Sequence, residues 1–238
     1  MTSESLQRLN DAVIGCIDVG RDEGWFVLDL RSGCSSYGVR AEDYRESLGT
    51  YLRADRLCVI GIEAAGFLPR ERDYKHLSRA RVGETDFGQS RPWSVHAGKA
   101  ATWRALPLVP ALLRDLRQFV PSETLGHLDF ARASCQLIRL LLFEAFVTRA
   151  PRGQTAPLVP DCVSNACAHV WDAAIAVLRL RSQLVDAQIV SAIRDEVSVS
   201  FFGAALLATG WSTESTLASY PVHVVRDFKP ARGAPFGG

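Results

Sequence analysis

Two apolar runs in this chain each end in a carboxylate, and that pairing constrains the fold more than any other feature of the sequence. Val13 to Asp18 (VIGCID) and the run ending at Glu63 (RLCVIGIE) read as buried strands, each closed by a turn-forming segment. Asp and Glu are poor strand residues, and burying either costs free energy unless a cation or a donor answers the charge. An acid at the end of a core strand stands where a rigid sheet can aim it into a shared site. Asp18 also suits the start of a Val-Gly-Arg turn, whereas turn chemistry gives little reason for Glu63 in GIEAAG.

The elements between and after these runs predict an α/β chain. Trp25 to Leu30 follows the first strand after VGRDEG, a link too short for a helical crossover, so the opening reads as an antiparallel meander with Gly33 to Val39 as its third strand. Ala41 to Ala54 places Tyr44, Leu48, Tyr51 and Leu52 at helical spacing. Pro110 introduces a helix over Ala111 to Val120, and LLLFEAFVT reads as a strand carrying Glu144. A helix over Ser164 to Leu184 has an apolar stripe of Cys167, Val170, Trp171, Ala174, Ile175 and Leu178; Asp172 lies beside it, with His169 one turn earlier on the same face. Ile189 to Ser200 fits helix or strand, and Phe201 to Gly210 and Val222 to Val225 close the domain.

At 238 residues, with 47% apolar composition and a net charge of +1, the chain is expected to be one globular domain over 1–238, with an insertion at 69–134 and a disordered tail at 229–238. The polar N-terminus lacks the apolar core of a signal peptide, and no apolar run is long enough to span a bilayer, so a cytoplasmic protein with no membrane partner is expected. The six scattered cysteines read as buried free thiols, and Cys162 and Cys167 make a poor zinc site. Nothing in the sequence excludes a homodimer.

Glu144 and Asp172 add to Asp18 and Glu63 a set of four carboxylates. Converging on one spot they would repel unless a divalent ion neutralised them, and oxygen-only ligation favours Mg2+ or Mn2+. Structural roles are open to each: Glu144 pairing with Arg139 or Arg149 at a sheet edge, Asp172 as a solvated helix position, His169 as a structural or helix-surface residue rather than a ligand. The insertion mixes bases with aromatic residues. Arg79, Arg81, Arg91, Trp93, His96 and Lys99 are candidates to follow a phosphate backbone and stack bases, although Glu71, Asp73, Glu84 and Asp86 offset part of that charge.

IGCIDVGRDEGWFVLDL, CVIGIEAAGFLPRERD, LFEAFVT and HVWDAAIAVL, in that order, resemble the predicted RNase-H-like nucleases of the family called domain of unknown function 429, over residues 13 to 210. The resemblance implies a five-stranded mixed sheet, its first three strands antiparallel, with helices on both faces. It makes Asp18 the first-strand acid, Glu63 the fourth-strand acid, Glu144 the fifth-strand acid and Asp172 the acid of the last helix. Glu63 stands where Asp is common in that family, with the same oxygens on one more methylene. The implied activity is two-metal hydrolysis of phosphodiester bonds, with Asp18, Glu63 and Asp172 as metal ligands and Glu144 completing the shell or orienting water. Two other readings share this fold: a catalytically silent module that binds nucleic acid or protein through the basic insertion, and an actin-like or sugar-kinase-like phosphotransferase suggested by IDVG. The last lacks a second D-x-G after residue 150.

Overall fold

A computed structural model of the chain describes residues 1–19, 23–69, 81, 84, 97–146, 163–193 and 197–226. Its frame is a mixed sheet of seven strands. The first strand, β1 (Val13–Asp18), pairs antiparallel with β2 (Gly24–Asp29), which pairs antiparallel with β3 (Ser35–Gly38). On its other side β1 runs parallel to β4 (Cys58–Ile62), and β4 runs parallel to the nine-residue β7 (Ile138–Phe146). Strands β6 (Leu125–His127) and β9 (His223–Arg226) share the far edge of β7, one after the other, both parallel to it. The resemblance implies five strands; β7 is long enough for two short strands to pair end to end along one edge, and the sheet has seven. A separate antiparallel pair joins β5 (Phe67–Pro69) to β8 (Val197–Ser200).

Helices cover both faces. On one face α2 (Ala41–Arg53) buries Tyr44, Leu48 and Leu52, beside α3 (Ala97–Arg117) and α5 (Phe201–Ala208); their core includes Val13, Ile17, Ile60, Ile62, Leu140 and Leu142 from the strands. On the other, α4 (Ala168–Val185) and Leu9 of α1 (Ser3–Asn10) pack on Ile14, Cys16, Val59, Leu141 and Phe143. Neighbouring strand residues alternate between the two cores, as a pleated strand requires. Among the described residues no helix is long and apolar enough to cross a membrane.

Two helices depart from expectation. The polar N-terminus forms α1, capped by Thr2, whose hydroxyl accepts from the Ser5 N–H at 3.1 Å, and tied down by Arg8, which donates to the carbonyls of Ala133 and Ile138 at 2.6 and 2.7 Å. Helix α3 starts well before Pro110 and carries both Pro107 and Pro110 inside it. Packing of Ala105, Val109, Leu112, Leu113 and Leu116 offsets the hydrogen bonds that the prolines remove. The cysteines differ too: Cys16 and Cys58 are buried, but Cys34, Cys135 and Cys167 are exposed. Cys162, the linker-like stretch 151–160 and the tail 229–238 lie outside the described residues.

Gly24 opens β2 directly opposite Asp18, and the start of α4 packs against it. A Cβ on Gly24 would lie 2.5 Å from the backbone of His169 and Val170, so the absence of a side chain lets helix and strand touch backbone to backbone. Because the obstacle is main chain, relief requires moving the helix. Gly24→Ala is expected to destabilise the fold by about 1–3 kcal/mol, read as a lower denaturation midpoint at unchanged slope; an unaltered midpoint contradicts the contact.

The far end of β2 is held by charge. Asp29 accepts from Arg56 Nη2 at 2.6 Å, Ser32 Oγ at 2.8 Å and the Arg31 N–H at 3.1 Å. Burial works against its charge, but these donors outweigh it and hold the carboxyl below the usual carboxylate range. A carboxyl depressed in the folded state stabilises the protein above its unfolded value, and that contribution disappears as pH falls through the folded value. Asp29→Asn should therefore flatten the loss of stability below about pH 4; an identical acid limb in the variant contradicts the role given to Asp29.

Candidate metal centre

Register decides which acids meet. Strands β1 and β4 are parallel with Ile17 opposite Ile62, and the Glu63 N–H donates to the Ile17 carbonyl at 3.0 Å, extending the ladder one residue past β4. Ile17 and Ile62 both belong to the α2–α3–α5 core. The next residue on each strand turns to the opposite face, so Asp18 and Glu63 point together to the α4 side. Helix α4 supplies the third acid. Asp172 sits in its first turns and is buried, 7% exposed, rather than solvated, because the helix lies against β1 and β2.

Asp18, Glu63 and Asp172 each offer an oxygen, and these atoms all lie within 4.8 Å of one another. All three residues are at least nine-tenths buried. Three elements far apart in sequence thus bring three carboxylates into one small, sheltered volume, and such a group can hold a metal ion. Cys16, two residues before Asp18 on the same strand face, registers their charge. Burial pushes its thiol well above the ordinary value, and Glu63, Asp18 and Asp172 push it further, so this sulfur stays an inert thiol in the core next to the acids.

His169, read from the sequence as a structural or helix-surface residue rather than a ligand, stands beside this group. Its Nδ1 donates to Oδ2 of Asp18. The signal available was its place three residues before Asp172, which puts both on one face of α4.

Glu144 does not join the group. It pairs across the ladder with Ile62, not with Glu63, and so points to the α2–α3–α5 face with Leu142. One residue of parity separates it from the three acids; the β7 residue of matching orientation is Ala145, in the α4-side core. Nor does Glu144 pair with Arg139, which grips Asp55 at the opposite end of β7. Its partner is Arg81. One guanidinium nitrogen, Nη1, donates to Glu144 Oε2 at 2.7 Å, Nη2 donates to Oε1, and the Gly66 N–H donates to Oε2 at 2.8 Å.

Arg81, expected to contact phosphate, is itself buried, 1% exposed, with no face toward solvent. Its Nε donates to Glu84 Oε1 at 2.7 Å, its backbone N–H donates to Glu84 Oε2 at 3.1 Å, and its guanidinium lies 4.6 Å from the centre of the Phe67 ring. Burial works against the positive charge, yet Glu144 and Glu84 outweigh it and raise the guanidinium above its ordinary value. The network is an anchor between the insertion and the sheet. Arg79, Arg91, Trp93 and His96 lie outside the described residues, as does the side chain of Lys99 at the start of α3.

Compared with family models, curated proteins and solved structures, the chain matches none.

Removing the guanidinium would leave Glu84 and Glu144 buried without it. Arg81→Met should therefore cost about 3–5 kcal/mol of stability, measured by denaturant unfolding; a loss under about 1 kcal/mol contradicts the anchor.

Proposed function

We propose that this chain is an RNase-H-like nuclease that hydrolyses phosphodiester bonds with Mg2+ or Mn2+ held by Asp18, Glu63 and Asp172. The convergence of those three carboxylates within 4.8 Å carries the reading. The strand order supports it. Three antiparallel strands followed by β4 and β7 parallel to β1 match the core implied by the resemblance to the domain of unknown function 429 family, with β6 and β9 as additions. An all-carboxylate donor set fits a hard divalent ion and disfavours zinc, which prefers nitrogen and sulfur.

In this reading Asp18, Glu63 and Asp172 would together hold the divalent ions. Bound ions of this kind activate a water and stabilise the charge of an in-line displacement at phosphorus. The chain's own contribution is rigidity. Asp18 is the last residue of β1 and Glu63 directly follows β4, and both strands are paired on both sides, so their oxygens are held in place before any ligand arrives. Burial of the acids keeps bulk water from screening them. Glu144 has no role in the chemistry, since it faces the other side of the sheet. Arg79, Arg91, Trp93, His96 and Lys99 remain the proposed contacts to a nucleic-acid substrate, on the strength of their chemistry and spacing.

With Mg2+ or Mn2+ the purified protein should cleave members of a panel of DNA and RNA hairpins, junctions and single strands. Chelator should stop the reaction and Asp18→Asn should abolish it. Undiminished cleavage by Asp18→Asn, or no cleavage of any substrate by a protein shown to bind the ions, contradicts the proposal.

A further inference from the structure

We infer that His169 is a positioning residue of the metal centre: its Nδ1–H sets the orientation of the Asp18 carboxylate and so the affinity for the cation. The inference rests on the reading of Asp18, Glu63 and Asp172 as ligands, and adds a residue that the resemblance does not include.

Three observations lead to it. The first is the hydrogen bond itself, from Nδ1 of His169 to Oδ2 of Asp18, across 151 residues of sequence. A carboxylate oxygen only accepts, so Nδ1 carries the proton. A donor fixed on one oxygen stops the carboxylate from rotating about its last torsion, which is broad and two-fold for Asp when nothing holds it. An ionised carboxylate has about four acceptor directions, so accepting from one donor does not by itself prevent it from binding a cation.

The second is that one helical turn supplies both a ligand and the donor that orients another ligand. His169 and Asp172 are three residues apart at the start of α4, so any movement of that turn carries imidazole and carboxylate together. The His169–Asp18 bond therefore joins β1 to the same helical turn of α4 that carries Asp172.

The third is the way that turn is placed. Gly24 is the ladder partner of Asp18, and the backbone atoms that press on Gly24 belong to His169 and Val170. Backbone contact thus fixes His169 relative to the residue that pairs with Asp18. The imidazole reaches the carboxylate from a support with little freedom, which is what a residue that orients a ligand requires. A histidine that merely coated the helix surface would need no such support; its side chain is only 17% exposed.

The experiment measures Mn2+ affinity by calorimetry at a temperature where circular dichroism shows every protein folded. Wild type is compared with Asp18→Asn and three His169 variants. His169→Phe keeps the ring and removes the donor, His169→Asn places an amide N–H where Nδ1 stood, and His169→Gln places it near the Nε2 position. Loss of the donor is expected to weaken Mn2+ binding about 10- to 100-fold in His169→Phe and His169→Gln, with most of the loss recovered in His169→Asn. If the phenylalanine variant does not fold, the contrast between Asn and Gln gives the same answer, because both are small polar residues that differ in where the donor sits. Equal affinity in wild type, Phe and Gln, or equal weakening in Asn and Gln, overturns the role of His169 while leaving the metal centre intact. Failure of the wild type to bind Mn2+ more tightly than Asp18→Asn removes the metal centre, and this inference with it.

Discussion

Side-chain alternation along paired strands is the constraint on which the rest of this structure depends. Because Ile17 and Ile62 lie opposite each other on parallel strands and belong to the same core, the residues that follow them must leave toward the other face together. Asp18 and Glu63 are brought side by side by that register alone. A one-residue slip of β4 against β1 would send Glu63 into the α2–α3–α5 core and dissolve the group. The register is held in turn by the uniformly apolar interiors of both strands, since any slip would misalign two packed cores at once.

The same rule separates two clusters of charge that lie a single residue apart along the ladder. On the α4 face, Asp18, Glu63 and Asp172 gather with His169 as a donor to Asp18. On the opposite face, Glu144 and Glu84 enclose Arg81. The sheet lies between them. Acids on one side are arranged so that a cation suits them, whereas acids on the other are answered by a guanidinium supplied by the insertion. The buried arginine holds Glu144 in place on the far side of the sheet from the three acids, and ties a distant stretch of chain to the C-terminal end of β7.

Much of this was legible in the sequence where a pattern was local and strong. Apolar runs located β1, β2, β4 and β7, helical spacing located α2 and α4, and the strand-end position of Asp18 and Glu63 marked two of the three acids that meet. Asp172 was visible as an acid beside an apolar stripe, but only packing of α4 on the sheet shows it to be buried. Glu144 shows why motif reading alone goes astray: an acid in the right strand, one residue out of phase, satisfies the pattern and misses the site. Arg81 looked like one base among many, because a buried ion network between residues 63 apart leaves no periodic trace. The helix α3 was hidden by Pro107 and Pro110, whose cost is offset by tertiary packing, and α1 by its polar composition. The approach of α4 to Gly24, and with it the reach of His169, depends on a missing side chain and cannot be read from residue types.

We propose that the three carboxylates on the α4 face of the sheet form a cation site to which Glu144 does not belong. Anomalous diffraction from crystals grown with Mn2+ tests this most directly. Manganese density is expected in contact with Asp18, Glu63 and Asp172, with none at Glu144. Manganese bound at Glu144, or no manganese between the three acids in crystals saturated with the ion, would contradict it.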